Sequence, residues 1–187
     1  MSFLNESKWS NLTGWRRHQP EPEIKIWLID AQSLTKRLKA YSKHSFRVQL
    51  DSQQWERPLR SERQVLAMPD RGRALVRKVH LLVDETPVVY ARTVIPEATL
   101  SGKYRGLGHL GCRPLGEVLF ADPAMRRESM TFAQIKQGQA LYDEAMVDMH
   151  QVSDAFWGRR SLFWLKKECL LVSEFFLPNI NILENER

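Results

Sequence analysis

Two charged residues interrupt apolar strand patterns and could act together on a small anionic ligand. Glu174 lies within the apolar run 169–178, and Arg77 lies within the run 73–83. Because side chains alternate between the two faces of a strand, each charge shares its face with apolar neighbours. A charge in such surroundings is seldom fully buried without a partner. The two residues predict either a buried ion pair that closes the core or a pocket, in which a guanidinium holds an anion and a carboxyl group moves a proton.

The strands that carry these residues follow from alternating hydrophobicity. Strands are predicted at residues 46–50, 73–83, 88–95, 127–135, 159–167 and 169–177. A short turn at residues 84–87 joins two of them, and a turn at Lys167 and Glu168 joins the last two. Both pairs should be antiparallel hairpins. The predicted fold class is therefore α+β, a single domain over residues 1–187 with a mainly antiparallel β-sheet and flanking helices.

Two helices and several connecting segments complete the predicted domain. Apolar residues recur at near-helical intervals over residues 24–41, where Asp30 or Ser33 could cap the helix, and Pro114 suits the first turn of a short helix whose backbone amides could face an anion. The remaining segments are predicted as an N-terminal arm (1–23), a surface loop (52–73), a glycine-rich loop (102–116) and a surface excursion (136–152).

Composition limits the possible functions. The chain has 187 residues, 43% of them hydrophobic, which is enough for one domain with a substantial core. Its formal net charge of +6 permits nucleic acid, anionic membranes or small anions as partners. The basic residues are scattered and form no recognition-helix pattern, which argues against nucleic acid. The sequence contains neither a signal-peptide pattern nor an apolar run of membrane-spanning length, so we expect a soluble, cytoplasmic protein.

Several kinds of catalytic site lack their sequence signals. Cys112 and Cys169 are far apart, and the five histidines show no metal-ligand spacing. The sequence GLGHLG formally matches the dinucleotide-binding fingerprint, but no apolar strand precedes it. No GxSxG motif or P-loop is present. An arginine and a glutamate on apolar strand faces therefore favour a cofactor-free reaction on a small anion, with no metal site.

Three further arginines have open or surface interpretations. Arg92 shares a strand face with apolar residues and could be a second anion contact or an arginine paired at the sheet edge. Arg159 and Arg160 are predicted at the start of a hairpin, on a solvent-exposed face.

Seven short motifs, taken in order and spacing, resemble the chorismate pyruvate-lyase family over residues 33–178. They are SLTKR (33–37), LVRK (75–78), ARTVIP (91–96), TLSG (99–102), PLGEVLF (114–120), WGRRS (157–161) and LVSEFFLP (171–178). Each motif is weak alone, and their combination is specific. Two of them contain Arg77 and Glu174.

The resemblance implies a carbon–oxygen lyase that converts chorismate to 4-hydroxybenzoate and pyruvate without a cofactor, the first committed step of ubiquinone synthesis. It implies a monomer with flaps over an internal site, with substrate-binding positions at Leu34, Arg77, Leu115 and Glu174, of which Arg77 and Glu174 are the catalytic candidates. At position 34 the family pattern has Met. The alternative is a non-catalytic domain of the same fold that senses or binds an aromatic carboxylate, as in some bacterial transcription regulators, although no helix-turn-helix pattern is present. A structural protein with a buried ion pair is the third option.

Overall fold

One antiparallel sheet organises the chain. A computed structural model describes residues 5–16, 19–128, 130–147, 149 and 153–185. In this part of the chain, seven strands form a sheet in the order β1-β2-β3-β7-β6-β4, and β5 also pairs with β6. The strands are β1 (Phe46–Glu56), β2 (Ala74–Val83), β3 (Thr86–Pro96), β4 (Met125–Arg127), β5 (Thr131–Lys136), β6 (Ala155–Leu165) and β7 (Glu168–Phe176). The predicted α+β class with an antiparallel sheet is confirmed.

Short helices cover both faces of the sheet. They are α1 (Pro22–Leu28), α2 (Leu34–Tyr41), α3 (Arg60–Val65), α4 (Leu115–Phe120), α5 (Ala140–Ala145) and α6 (Ile182–Asn185), with 3₁₀ helices at Leu12–Arg16, Glu97–Thr99, Gly102–His109 and Pro178–Asn181. Helices α1 and α2 pack with β1, β2 and β3 in one core cluster, and α4 packs with β6 and β7 in a second, on the same face. We call this the near face. Helix α5 packs with β5, β6 and β7 on the opposite side, the far face.

The β2–β3 hairpin explains how the central strands find their register. Asp84 and Glu85 have φ values of 47° and 64°, the left-handed conformation that two-residue hairpin turns require. The carboxylate of Asp84 also accepts hydrogen bonds from the backbone amides of Lys43, His44 and Ser45. These backbone hydrogen bonds lower the pKa of Asp84 to about 2. The turn therefore fixes the start of β1 as well as the β2–β3 register.

Two predictions for the N-terminal half of the chain are wrong. The helix predicted over residues 24–41 is two helices, because the chain leaves the first at Ile29 and Ser33 caps the second by accepting a hydrogen bond from the amide of Lys36 at 3.3 Å. The segment predicted as a surface loop over 52–73 contains the end of β1 and all of α3. Strand β1 continues because a register shift between Leu50 and Ser52 lets it stay paired with β2.

The second half of the chain also departs from expectation. The strand predicted over 127–135 is the end of β4 followed by β5, and Ser129 lies outside the described residues. The excursion predicted over 136–152 is wrong, because Leu141, Tyr142 and Ala145 of α5 are buried against the far face. Residues 148 and 150–152 of that segment are not among the residues that the structure describes. The far face is apolar at this point, so burying it against a helix is favourable.

The predicted N-terminal arm is only partly independent of the domain. Ser10 exchanges two backbone hydrogen bonds with Phe132 of β5, and α1 already begins at Pro22. Residues 1–4, 17 and 18 of the arm lie outside the described part of the chain. Among the described residues, no helix has the length and apolar character needed to cross a membrane.

Candidate active site

A small cavity lies on the near face, between the sheet and the first turns of α2 and α4. Its free volume is about 50 Å³. It is lined by Gln32, Leu34, Thr35, Val48, Arg77, Val79, Leu81, Ala91, Thr93, Pro114, Leu115, Gly116, Leu119, Phe120, Arg127, Phe163, Val172 and Glu174. Pockets for small molecules usually have about 300–1,000 Å³. This cavity is therefore smaller than a usual ligand pocket.

The cation Arg77 is buried in this cavity without a carboxylate partner. Its side chain is 2% exposed, and Nη2 donates to the carbonyl oxygens of Gly111 and Arg113 at 2.9 and 3.1 Å. Nε has no hydrogen-bond partner, and no ion pair joins Arg77 to Glu174 or to another carboxylate among the described residues. Burial lowers the pKa of the guanidinium, which nevertheless stays charged. A desolvated cation with a free donor is a ready site for an anion.

The carboxylate Glu174 meets a different arginine from the expected one. Its Oε2 accepts a 2.6 Å hydrogen bond from Nε of Arg159, which lies directly across the β6–β7 ladder. Arg127 approaches the same oxygen more loosely, with Nη2 at 3.8 Å. Glu174 thus faces the cavity as a carboxylate that is already held in place. The structure does not contain the simple Arg77–Glu174 ion pair that was one interpretation of the sequence.

Two helix starts bring backbone amides to the same cavity. Leu34 is the first residue of α2 and Leu115 the first residue of α4, and the first amides of a helix have no acceptor within it. The two helix starts lie close together: a Cβ added to Gly116 would lie 3.0 Å from Oγ1 of Thr35. Glycine therefore allows this close approach. All four residues predicted for substrate binding, Leu34, Arg77, Leu115 and Glu174, line one cavity.

The structure corrects the predicted locations of three other arginines. Arg92 does not face the cavity: it points to the far face, where it pairs with Glu62 at 2.8 Å and with Glu56 at 3.0 Å. Arg159 and Arg160 are not solvent-exposed, since only 1% and 9% of each residue is accessible. Both are buried because β6 lies inside the sheet, with β7 on one side and β4 and β5 on the other.

Residues that the sequence did not assign to the site also contribute to the cavity. Arg127, Thr35 and Thr93 line it, and Arg159 holds its carboxylate. Arg127 lies at the end of a short strand, so alternation along its own strand could not show which face of the sheet it joins. Among the described residues, no cluster of three or more His, Cys, Asp or Glu side chains could hold a metal ion.

A larger cavity of about 660 Å³ on the far face is a weaker candidate for chemistry. Its polar lining is already paired internally: Lys78 and the Tyr90 hydroxyl contact Glu144, and His80 contacts Asp51. A ligand there would have to break these contacts. The near-face cavity, with its unpaired Arg77, is therefore the candidate active site.

The fold belongs to a class of α+β domains that also includes regulator domains. The effector domain of PhnF from Mycobacterium smegmatis is similar, with a TM-score of 0.53 and 14% sequence identity over 79% of this chain and 90% of that one. A GntR-family transcriptional regulator from Bacillus cereus has a TM-score of 0.54 and 8% identity, over 73% of this chain and 94% of the other. At such low identity these similarities define the fold alone.

Sequence comparison gives the family. The family model described as chorismate lyase matches residues 3–186. Proteins named "probable chorismate pyruvate-lyase" are 36% identical in Nitrosomonas eutropha, over 86% of this chain and 89% of that protein, and 40% identical in Methylococcus capsulatus, over 84% of this chain and 96% of that protein. The chain belongs to the chorismate lyase family, as its motifs predicted.

Proposed function

We propose that this protein cleaves chorismate to 4-hydroxybenzoate and pyruvate in the near-face cavity. The observation that carries the proposal is Arg77, a buried cation whose Nε has no partner and which shares its cavity with a carboxylate. A purely structural arginine would be expected to have a carboxylate partner in such an apolar environment. Family membership supplies the reaction class.

In this proposal Arg77 binds the ring carboxylate of chorismate, and the first amides of α2 and α4, near Leu34 and Leu115, add further donors. Glu174 hydrogen-bonds the 4-hydroxyl group or transfers a proton during cleavage. The C3–oxygen ether bond breaks and C4 loses its proton, so the ring becomes aromatic and much of the driving force comes from the substrate itself. Apolar walls exclude water from the reacting atoms.

The proposal extends to the setting of the reaction. We expect a monomer in the cytoplasm that supplies 4-hydroxybenzoate for ubiquinone synthesis. Both cysteines are free thiols in the structure, Cys112 exposed and Cys169 half-buried, which fits a reducing compartment.

The experiment is to incubate the purified protein with chorismate and to quantify 4-hydroxybenzoate and pyruvate by chromatography. Equal amounts of both products support the lyase. Arg77→Met should then abolish detectable turnover, and Arg77→Lys tests whether a charge alone is enough. Arg113→Met is the control, because Arg113 is exposed and its contact to Arg77 uses only its backbone carbonyl. Since Arg77 also holds two carbonyl groups, thermal melting must confirm that the variants are folded.

One result would contradict the lyase activity, and another would contradict its location in the near-face cavity. If the wild-type protein forms no product but 4-hydroxybenzoate raises its melting temperature, the protein is a binding domain of the same fold. If Arg77→Met keeps wild-type turnover, the cavity is not the active site.

A further inference from the structure

Arg127 is a second cation on the cavity wall. Contacts within the protein use only some of its hydrogen-bond donors. Its Nε donates to Oγ of Ser161 at 2.9 Å, and Nη1 donates to the carbonyl oxygen of Ala31 at 3.0 Å. These two contacts fix the guanidinium plane. The remaining nitrogen, Nη2, lies 3.8 Å from Glu174, which is too far for a hydrogen bond. Arg127 therefore presents a positioned, mostly buried donor to the cavity.

The charges around the cavity do not balance. Arg77, Arg127 and Arg159 place three guanidinium groups at or beside it, and Glu174 is the only carboxylate among the described lining residues. The nearby Asp30 is engaged with Arg37 at 3.1 Å. Burial lowers the pKa of Arg127, and the neighbouring Arg159 adds to this effect, while Glu174 and Asp30 oppose it. Three guanidinium groups against one lining carboxylate leave an excess of two positive charges, so the cavity is suited to a dianion.

We propose that Arg127 binds the second carboxylate of the substrate, the one that leaves with pyruvate. This inference rests on the proposed lyase function. Chorismate carries one carboxylate on the ring and one on the enolpyruvyl group, which is joined through an ether oxygen at C3. The neighbouring carbon, C4, carries the hydroxyl group assigned to Glu174. Because C3 and C4 are adjacent, the enolpyruvyl group lies beside Glu174, on the wall where Nη2 of Arg127 is located.

This arrangement gives the two arginines separate tasks. Arg77 binds a group that stays on the aromatic product, whereas Arg127 binds a group that is lost from it. When the C3–oxygen bond breaks, its electron pair goes to the departing oxygen, and the proton lost from C4 balances the proton that enolpyruvate gains in becoming pyruvate. The Arg127 guanidinium stabilises the negative charge on this leaving group. Arg127 therefore favours chorismate over 4-hydroxybenzoate, which has a single carboxylate.

The test compares substrate and product affinity in matched variants. Arg127→Met removes the positive charge. Arg127→Lys keeps the charge but lacks the planar set of N–H donors of a guanidinium. Arg126→Met is the control, because Arg126 is the exposed neighbour on the same strand. For each variant, kcat/KM is measured with chorismate and the Kd for 4-hydroxybenzoate by calorimetry, after thermal melting confirms folding.

Loss of one charge-assisted hydrogen bond should lower kcat/KM for chorismate roughly 10- to 100-fold in Arg127→Met. The Kd for 4-hydroxybenzoate should stay within about threefold of the wild-type value, since this ligand does not need a second cation. Arg127→Lys should recover part of the loss, and Arg126→Met should behave as wild type. A merely structural Arg127 would weaken both ligands equally, and that result, or unchanged kcat/KM, would overturn the inference. Absence of turnover in the wild-type protein would instead remove the lyase proposal on which it rests.

Discussion

Arg159 connects the cavity carboxylate to the end of helix α1. Its Nε donates to Oε2 of Glu174 at 2.6 Å, while Nη1 donates to the carbonyl oxygens of Trp27 and Asp30 at 2.8 and 2.5 Å. Carbonyl groups at the end of a helix lack partners within it, so a buried cation is a favourable donor at this position. One guanidinium thus satisfies a carboxylate and two carbonyl groups that would otherwise be costly to bury. It also fixes the position of Glu174 in the cavity.

Arg159→Leu should therefore be more destabilising than Glu174→Leu. Removing the arginine leaves Glu174 and the α1 carbonyls without their donor, and breaking a buried pair in this way costs about 3–5 kcal/mol. Removing Glu174 leaves Arg159 with its carbonyl partners. Urea unfolding of both single variants and of the double variant measures the difference. The double variant should recover stability relative to Arg159→Leu alone; equal losses in the two single variants would contradict this account.

The Arg159–Glu174 pair was missed because the hairpin turn was placed one residue too late. A two-residue turn at Lys167 and Glu168 would put Ser161 opposite Glu174. The structure has the turn at Lys166 and Lys167, with Lys166 at φ 63°, and this register puts Arg159 opposite Glu174. Register errors of this kind change the partner of every residue along the strand. Alternation of apolar residues located β2, β3 and β7 to within two residues, but it does not reveal turn geometry.

The helices show a second limit of the sequence. Helix α5 has only weak apolar periodicity, yet it is packed into the core because the far face of the sheet has to be covered. By contrast, the four family-derived binding positions were found on one cavity, since each belongs to a motif whose place in the sheet or helix is locally determined. Arg127 was missed because its contacts, to Ala31, Ser161 and Glu174, are all distant in sequence.

Gly158→Ala should destabilise the protein through a single side-chain clash. A Cβ at Gly158 would lie 2.5 Å from Cδ1 of Phe175, a ring that is fully buried. Overpacking of a rigid core costs about 1–3 kcal/mol. Gly106→Ala is the matched control, because a Cβ there has no neighbour within 4 Å and its φ is not in the left-handed range. A fall in the urea midpoint for Gly158→Ala alone supports the packing; similar midpoints for both variants would contradict it.

Arg92 should affect stability and leave chemistry unchanged. It lies on the far face, pairs with Glu62 and Glu144, and has no contact with the near-face cavity. Arg92→Met leaves Glu62 buried without its cation, which should lower the free energy of unfolding by about 3–5 kcal/mol. Turnover per folded molecule should stay within about twofold of wild type when it is measured well below the melting temperature. A larger loss of kcat in folded protein would place Arg92 in the catalytic machinery.

Glu144 should make the far-face network sensitive to acid. It contacts Lys78 at 2.9 Å and Arg92 at 3.3 Å and accepts a hydrogen bond from Tyr90. Burial acts to raise the pKa of Glu144, but Arg92, Lys78 and Tyr90 together lower it below its usual value of 4.5. The pKa of Glu144 is therefore lower in the folded protein than in the unfolded chain. The charged Glu144 stabilises the fold fully above pH 4.5, and this stabilisation is lost as the pH falls through the folded-state pKa.

Glu144→Gln is the variant that isolates this contribution. Its urea midpoint should lie below the wild-type midpoint at pH 7, and the gap should close as the pH falls below about 4.5, because the wild-type carboxylate becomes neutral there. The other carboxylates titrate in both proteins and cancel in the difference. Glu97→Gln serves as the control at pH 7, since Glu97 is exposed and makes no ion pair among the residues described. A gap that stays constant down to pH 3 would show that Glu144 acts through packing and not through its charge.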